Sequence, residues 1–314
     1  MKTAEVAFVC PVYDTRNHFD YAVSLVKSYV ELDIDSADFY FVFSNESQQD
    51  KLNNRISEEL GVSVHSLVLP EDRLHYKSQV TVKKFFGIER LKDKYKYIAT
   101  IDCECLFLKN ADYLSVFDEI WNTQSFMNAN ATSHGFRIMH HCYKTVGCLY
   151  NPKLLRETRF YRYNVWFNEI PVYKTETLDD FWTWLKGFNA EQIFNDWYCF
   201  DYYLYVAYLI IKKGFRLRRF SEIESPYGVI EVLSSYPKEK AINILSFLGA
   251  HWTRNKEAVN DKICMFCQLD VNNSAKGIQS GSIFVYIITV ICTFIPITEL
   301  YKRIKSFFLK QKIK

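Results

Sequence analysis

The strongest constraint on this chain is the alternation of its first 108 residues between apolar, strand-like segments and amphipathic, helix-like ones. The strand-like segments are residues 5–13, 38–44, 62–69 and 97–108, and the helix-like segments are residues 19–32, 48–60 and 78–92. Strands that are apolar on both faces must be covered on both faces, which is typical of parallel sheets built from βαβ units. The pattern predicts an α/β, Rossmann-like fold with a mainly parallel sheet flanked by helices.

Composition narrows the class of protein further. Of 314 residues, 49% are hydrophobic and 24% charged, as in ordinary globular proteins. The net charge of +3 is too small to indicate a nucleic acid partner. The nine cysteines have no framework spacing, and Cys264 and Cys267 form a lone CxxC, so reduced thiols are expected. The N-terminal residues show no signal-peptide apolar region, which favours a cytoplasmic location.

The pattern also predicts the domain organisation. The alternation weakens after about residue 125, so residues 1–125 and 126–275 are expected to be two halves of one domain. Residues 276–314 form a tail in which an apolar run, 283–297, precedes a segment with six basic residues and one acid. The apolar run is shorter than the ~20 residues that a spanning helix needs. The tail therefore predicts a helix lying on the inner face of the cell membrane, with a buried core helix as the alternative.

Two acids interrupt the apolar segment 97–108. Asp102 and Glu104 are two residues apart, so on an extended strand they would lie on one face, roughly 7 Å apart. Their mutual repulsion favours a cation between them, and Mg²⁺ or Mn²⁺ is the ion that such a site prefers when it also holds a phosphate. The carboxyl ends of parallel strands share an edge, so Pro11-Val12-Tyr13 and Ser44-Asn45 are expected to bind a ligand beside this pair.

This order of motifs resembles the GT-A-fold glycosyltransferases over about residues 5–257. Asp102-Cys103-Glu104 is similar to their DxD motif, whose acids hold the divalent ion that bridges the diphosphate of a nucleotide-sugar donor, although here the motif ends in Glu. The resemblance implies Mn²⁺ or Mg²⁺ as the cofactor. It also implies that Asp102 is a direct ligand and that Glu104 is a ligand, directly or through water.

The resemblance extends to other donor-binding residues. It implies nucleobase contacts for Pro11, Val12 and Tyr13, phosphate contacts for Lys83, Lys84, Arg254 and Lys256, and a metal-ligating nitrogen on His251. An Arg guanidinium suits a phosphate because it donates two parallel hydrogen bonds. Three alternatives stay open: Tyr13 could be a loop ring that covers the core, the lysines could form a solvated helix face, and His251 could pack beside Trp252 at a strand end.

The resemblance also implies a catalytic base. In inverting enzymes of this kind, an acid at the start of a helix deprotonates the acceptor hydroxyl, and Asp201 has that place, with Asp196 as its competitor. The alternative for Asp201 is stabilisation of the helix N-terminus, with a retaining mechanism if no acid reaches the acceptor. Weaker candidates for metal ligation, in the region expected to meet the acceptor, are His134, His140 and His141, with ordinary surface histidines as the alternative. Candidates for acceptor contact or for a small second core are Trp166, Trp182, Trp184 and Trp197.

The resulting hypothesis is a metal-dependent glycosyltransferase, with an inverting mechanism slightly favoured. It would move a sugar from a nucleotide donor, expected to be a UDP-sugar, to a glycan or lipid-linked acceptor in bacterial polysaccharide or lipopolysaccharide synthesis. Two alternatives remain. A sugar nucleotidyltransferase would normally carry a Gly-rich loop after the first strand, where this chain has Cys10-Pro-Val-Tyr-Asp. A non-catalytic, membrane-tethered glycan-binding protein could share the fold.

Overall fold

A computed structural model describes residues 4–108, 110–130, 133–161, 163–164, 171–188, 190–219, 247–248 and 266–268. The strands are β1 (Val6–Pro11), β2 (Asp38–Phe43), β3 (His65–Val68), β4 (Tyr97–Thr100), β5 (Cys105–Phe107), β6 (Ser125–Asn130), β7 (Tyr163–Asn164), β8 (Val172–Lys174), β9 (Arg216–Arg219), β10 (Phe247–Leu248) and β11 (Phe266–Gln268). The helices are α1 (Arg16–Glu31), α2 (Glu46–Leu60), α3 (Gln79–Leu91), α4 (Tyr113–Thr123), α5 (Ser133–Thr145), α6 (Pro152–Glu157), α7 (Leu178–Lys186), α8 (Ala190–Asn195) and α9 (Asp201–Tyr208). Apart from residues 133–134, the described residues belong to one compact unit that runs to Val271.

The central sheet has the strand order β3-β2-β1-β4-β8. Strands β1 to β4 are mutually parallel, and β8 joins the edge antiparallel to β4. Two smaller sheets have the orders β10-β11-β5 and β7-β6-β9. The strands of the sheet core are apolar and fully buried, as β1 shows along its whole length. The predicted α/β class, with a mostly parallel sheet flanked by helices, is confirmed.

Local signals set the ends of several helices. The Asn45 side chain accepts a hydrogen bond from the Gln48 backbone N–H and so begins α2. Gly61 ends the same helix with a φ of 68°, a left-handed conformation that costs glycine little. The helix predicted to end at Gly214 also does so, again at positive φ, although its last turn, Leu209–Lys213, is a π-helix.

The prediction of one continuous strand over residues 97–108 is wrong. The structure ends β4 at Thr100, turns at residues 101–104, and begins β5 at Cys105. The Cys105 N–H closes the turn by donating to the Asp102 carbonyl at 3.0 Å. The strand breaks because β5 leaves the central sheet and pairs antiparallel with β11 in another sheet. Asp102 and Glu104 therefore project from a turn instead of one face of an extended strand.

Helix α3 lies unusually close to the central sheet. A Cβ atom built on Gly87 would be 2.5 Å from Val9 Cγ1 and 3.2 Å from Val42 Cγ2, so only glycine allows this approach to β1 and β2. The close packing leaves Lys83 and Lys84, on the preceding turn of the helix, buried against the sheet. Gly87 thus helps to fix the position of two ammonium groups.

Replacing Gly87 by Ala is expected to lower the free energy of unfolding by about 1–3 kcal/mol, because the added methyl overpacks the helix–sheet contact. The gain in helix propensity, about 1 kcal/mol, offsets part of this cost. Chemical denaturation would measure the change. Gly187→Ala is the matched control, since Gly187 has a φ of −69° and a Cβ atom there would lie 3.4 Å from the Trp184 carbonyl oxygen, an ordinary contact distance. Equal stability of the two variants would contradict the packing argument.

Candidate functional site

The predicted edge of the sheet gathers three loops. Strands β1, β2 and β4 run in the same direction, so Pro11–Tyr13, Ser44–Asn45 and the turn at 101–104 follow their carboxyl ends. The Val12 N–H donates to the Val42 carbonyl at 3.1 Å, and the Ile101 N–H donates to the Val9 carbonyl at 3.0 Å. These bonds hold the loop after β1 against β2 and the turn after β4 against β1.

Lys83 is tied to the loop after β1. Its side chain is completely buried, its ammonium donates a hydrogen bond to the Val12 carbonyl, and Nζ lies 4.4 Å from the centroid of the Tyr13 ring. Burial lowers the pKa of Lys83 to about 8. The alternative of a solvated helix face is wrong for this residue. Lys83 supports the shape of the loop that the sequence assigns to the nucleobase.

Lys84 is the cation of the acidic turn. Its Nζ lies 2.8 Å from Asp102 Oδ1, and its side chain is 8% exposed, so it is not part of a solvated face either. Burial alone would lower the pKa of Lys84, but the negative charges of Asp102 and Asp201 outweigh it and raise that pKa. Lys84 therefore stays charged, pairs directly with the acid of the turn, and acts electrostatically on the acid at the start of α9.

Asp201 is buried, with only 2% of its surface exposed. The Tyr173 hydroxyl donates a hydrogen bond to its Oδ2 atom. Burial raises the pKa of Asp201, while the Lys84 charge and the Tyr173 hydrogen bond act in the opposite direction. The positive charge of Lys84 therefore favours the ionised form of Asp201. Its role as catalytic base stays a prediction, and a buried carboxylate bonded to a tyrosine is poorly placed to meet an acceptor.

Glu104 lies beside the thiol of Cys103, which in turn contacts the imidazole of His18. Cys103 Sγ is 3.5 Å from Glu104 Oε2 and 3.1 Å from His18 Nδ1. Burial, followed by the negative charge of Asp102, raises the pKa of the Glu104 carboxyl. The two carboxylates of the turn repel each other when both are ionised, and a divalent cation between them would relieve this repulsion.

The described residues fit such an ion only in part. Within them, no group of three or more His, Cys, Asp and Glu side chains is arranged to hold a metal. Asp102 and Glu104 supply hard carboxylate oxygens, and Mg²⁺ or Mn²⁺ sites of nucleotide enzymes commonly use one or two carboxylates and complete the shell with phosphate and water. The acidic turn would supply two carboxylate ligands to such a shared site.

Strand β10 runs toward the acidic turn. β11 pairs antiparallel with β5, with Gln268 opposite Cys105, and β10 is parallel to β11. At Leu248 the chain therefore runs antiparallel to β5, from the side of Phe107 toward the side of Glu104. The predicted donor residues His251, Arg254 and Lys256 follow in the sequence but lie outside the described residues, so their roles stay predictions.

The end of α8 and the loop at residues 196–200 pack on the N-terminal end of α3. The Ser78 N–H donates to the Phe194 carbonyl at 2.8 Å, and the Thr81 hydroxyl donates to the Cys199 carbonyl at 3.0 Å. The loop carries Asp196, whose Oδ2 atom lies 2.6 Å from His141 Nδ1. Sequence reasoning named both residues but did not pair them, because 55 positions separate them.

The other candidates have different surroundings. Trp182 packs edge-on against Phe85 with centroids 4.9 Å apart, and Trp184 contacts Tyr208 at 5.8 Å, so both belong to an aromatic core. Trp197 is 61% exposed and available to a ligand. Asn45 caps α2 with its side-chain oxygen. Trp166 lies outside the described residues, as does the side chain of His134.

Two partners of the site carried no signal in the sequence. Tyr173 reaches Asp201 from the edge strand β8, and His18 reaches Cys103 from the first turns of α1. Neither residue belongs to a motif, and each is far from its partner along the chain. Their roles become visible only once the strand order is known.

No protein-family model and no curated protein matches the chain. Among solved structures, it is similar to the mannosyltransferase Ktr4p from S. cerevisiae, with 13% identity, a TM-score of 0.47, and 82% of this chain and 79% of that chain covered. It is also similar to core-mannan synthase A from Aspergillus fumigatus in its Mn/GDP form, with 13% identity, a TM-score of 0.42, and coverage of 73% and 76%. The apo structure of the bifunctional glycosyltransferase WbbM matches 96% of this chain at 14% identity and a TM-score of 0.43, and this chain spans 52% of its length. At these levels, the α/β class of the chain is established by its own strand order and pairing.

Proposed function

We propose that this chain is a metal-dependent glycosyltransferase that moves a sugar from a nucleotide donor, expected to be a UDP-sugar, to a glycan or lipid-linked acceptor. One observation carries the proposal. At the carboxyl edge of a parallel sheet, the acidic turn of Asp102 and Glu104 is paired with the buried ammonium of Lys84. Carboxylates and a fixed cation side by side suit a ligand that brings both a divalent ion and a diphosphate.

The side chains have separate tasks in this proposal. Asp102 and Glu104 would hold Mn²⁺ or Mg²⁺, which when bound supplies positive charge to the departing diphosphate. Lys84 orients Asp102 through its 2.8 Å ion pair and adds a cation that needs no reorganisation during the reaction. Tyr13, held by Lys83, offers an aromatic face to the nucleobase.

Calorimetric titration of the full chain with UDP and with GDP, with Mn²⁺ or with EDTA, tests the proposal. We expect binding of one nucleoside diphosphate that requires the metal. A panel of UDP-glucose, UDP-galactose, UDP-N-acetylglucosamine and GDP-mannose should then show release of that diphosphate. Absence of binding and of release would overturn the proposal. Pyrophosphate release from a nucleoside triphosphate and a sugar 1-phosphate would instead identify a nucleotidyltransferase.

The cellular setting is part of the same proposal. We place the protein in the cytoplasm, on the inner face of the cell membrane, with an acceptor of bacterial polysaccharide or lipopolysaccharide synthesis and an inverting reaction. The support is the apolar and then basic sequence of residues 276–314, which lie outside the described residues. Within the described residues, no helix is long and apolar enough to cross a membrane. The full chain should float with anionic liposomes, and failure to do so would overturn the membrane assignment.

A further inference from the structure

His141 and Asp196 form a hydrogen-bonded pair that the proposed donor site does not use. We propose that His141 is the general base of the reaction and that Asp196 is its positioning residue; the inference rests on the proposed function. The pair joins α5 to the loop before α9, with Nδ1 of His141 2.6 Å from Oδ2 of Asp196.

The carboxylate of Asp196 is fixed through both of its oxygens. Oδ2 faces His141, and Oδ1 accepts a hydrogen bond from the Tyr198 backbone N–H at 2.9 Å. An ionised carboxylate can only accept, so the proton of a neutral imidazole must lie on Nδ1. Nε2 of His141 then carries a lone pair. Within the part of the chain that the structure describes, no hydrogen bond engages Nε2.

The surroundings hold the pair in place. Arg137, one turn before His141 on α5, donates a hydrogen bond to the Tyr198 hydroxyl at 2.7 Å and lies 5.0 Å from the centroid of that ring. Cys142 meets the same loop, with Sγ 3.4 Å from the Tyr198 carbonyl. The His141 side chain is 38% exposed, so a ligand can reach an imidazole whose orientation is fixed.

The loop places this imidazole at the end of the sheet where the donor would bind. The end of α8 accepts a hydrogen bond from the Ser78 N–H, the loop accepts one from the Thr81 hydroxyl, and the loop leads directly into Asp201 at the start of α9. Ser78 and Thr81 lie at the beginning of α3, the helix that carries Lys84. Asp201 itself is buried and bonded to Tyr173. Of the three candidate groups, Asp201 is enclosed and Asp196 is occupied at both oxygens, which leaves His141 as the group with a free proton-accepting atom.

The proposed step balances without another reactant. The acceptor O–H bond breaks and its proton moves to Nε2 of His141. The acceptor oxygen forms a bond to the anomeric carbon as the bond from that carbon to the diphosphate oxygen breaks. The nucleoside diphosphate leaves with the electron pair. Asp196 stabilises the imidazolium that forms, as a carboxylate does in other His–Asp pairs.

The test compares His141→Ala, His141→Gln and Asp196→Asn with wild type. The readouts are release of nucleoside diphosphate from the donor panel, with water or glycan as acceptor, and calorimetric binding of UDP or GDP with Mn²⁺. We expect both His141 variants to lose at least about 100-fold in turnover while binding the diphosphate like wild type. Added imidazole should restore part of the activity of His141→Ala, whose cavity can admit it, but not that of Asp196→Asn. His65→Ala, which removes an exposed ring stacked on Tyr40, is the matched control.

Each outcome decides between the two proposals. If wild type binds and turns over donor but His141→Ala keeps its turnover, the inference about His141 fails and the glycosyltransferase stands. If the His141 variants lose diphosphate binding together with turnover, His141 is structural and the inference also fails. If wild type neither binds a nucleoside diphosphate nor releases one, the proposed function fails first. Imidazole rescue with unchanged binding would support the inference.

Discussion

Replacing Asp102 by Asn is expected to lower sugar transfer about 1000-fold and to remove the dependence of nucleoside diphosphate binding on Mn²⁺. A divalent ion supplies several kcal/mol of charge stabilisation, and about 4 kcal/mol corresponds to three orders of magnitude in rate. Asn keeps the size of the side chain but removes the negative charge that the ion and Lys84 share. Calorimetry with UDP or GDP, with and without Mn²⁺, and diphosphate release from the donor panel would measure both effects.

The control for this experiment is Asp93→Asn, which changes an exposed carboxylate in the turn after α3 and should leave binding and transfer unchanged. Glu104→Gln separates the two acids of the turn. Burial, followed by the charge of Asp102, raises the pKa of Glu104 and so disfavours its ionised, metal-binding form; a smaller loss than for Asp102→Asn is expected. Wild-type metal dependence in Asp102→Asn would remove the central support of the proposed function.

The central sheet was predictable because its signal is periodic and local. Buried strands alternate with helices whose ends carry their own caps, as Asn45, Gly61 and Gly214 show. The parallel order of the strands then requires the loops after β1, β2 and β4 to share one edge. The fold class therefore follows from local patterns. The parallel strand order then places Asp102 beside the loops after β1 and β2.

The details of the site were not predictable for the opposite reason. The turn at residues 101–104 exists because β5 pairs with β11, about 160 residues away, and no local pattern in the apolar run records that partner. The burial of Lys83 and Lys84 depends on how closely Gly87 lets α3 approach the sheet. The pairing of His141 with Asp196 likewise depends on how α5 packs on a distant loop. Sequence patterns identified the charged groups, and tertiary packing decided which of them meet.

Lys84→Met should destabilise the protein more at alkaline than at acidic pH. The variant removes the cation that pairs with Asp102 and acts electrostatically on the buried Asp201. Breaking a buried ion pair costs about 3–5 kcal/mol, and the partial exposure of Asp102 reduces the expected loss in unfolding free energy to about 2–3 kcal/mol. Denaturant titration at about pH 5 and about pH 8 would measure it on both sides of neutrality.

The sign of the pH effect follows from Asp201. Burial raises the pKa of its carboxyl in the folded protein, so the folded state binds this proton more tightly than the unfolded state does. The stability that this tighter proton binding contributes is fully present below the ordinary carboxyl pKa. It is lost as the pH rises through the raised pKa of Asp201 in the folded protein. Lys84 opposes this shift in wild type. Without it the pKa of Asp201 rises further, and the stability deficit of the variant grows with pH.

Two further variants isolate the cause. Lys77→Met removes an exposed lysine just before α3 and should change stability little at either pH. Adding Asp201→Asn to Lys84→Met should recover part of the loss at the higher pH, because Asn still accepts the Tyr173 hydrogen bond but carries no charge to bury. A loss in Lys84→Met that is independent of pH, with no recovery in the double variant, would show that Lys84 acts through its packing instead of its charge.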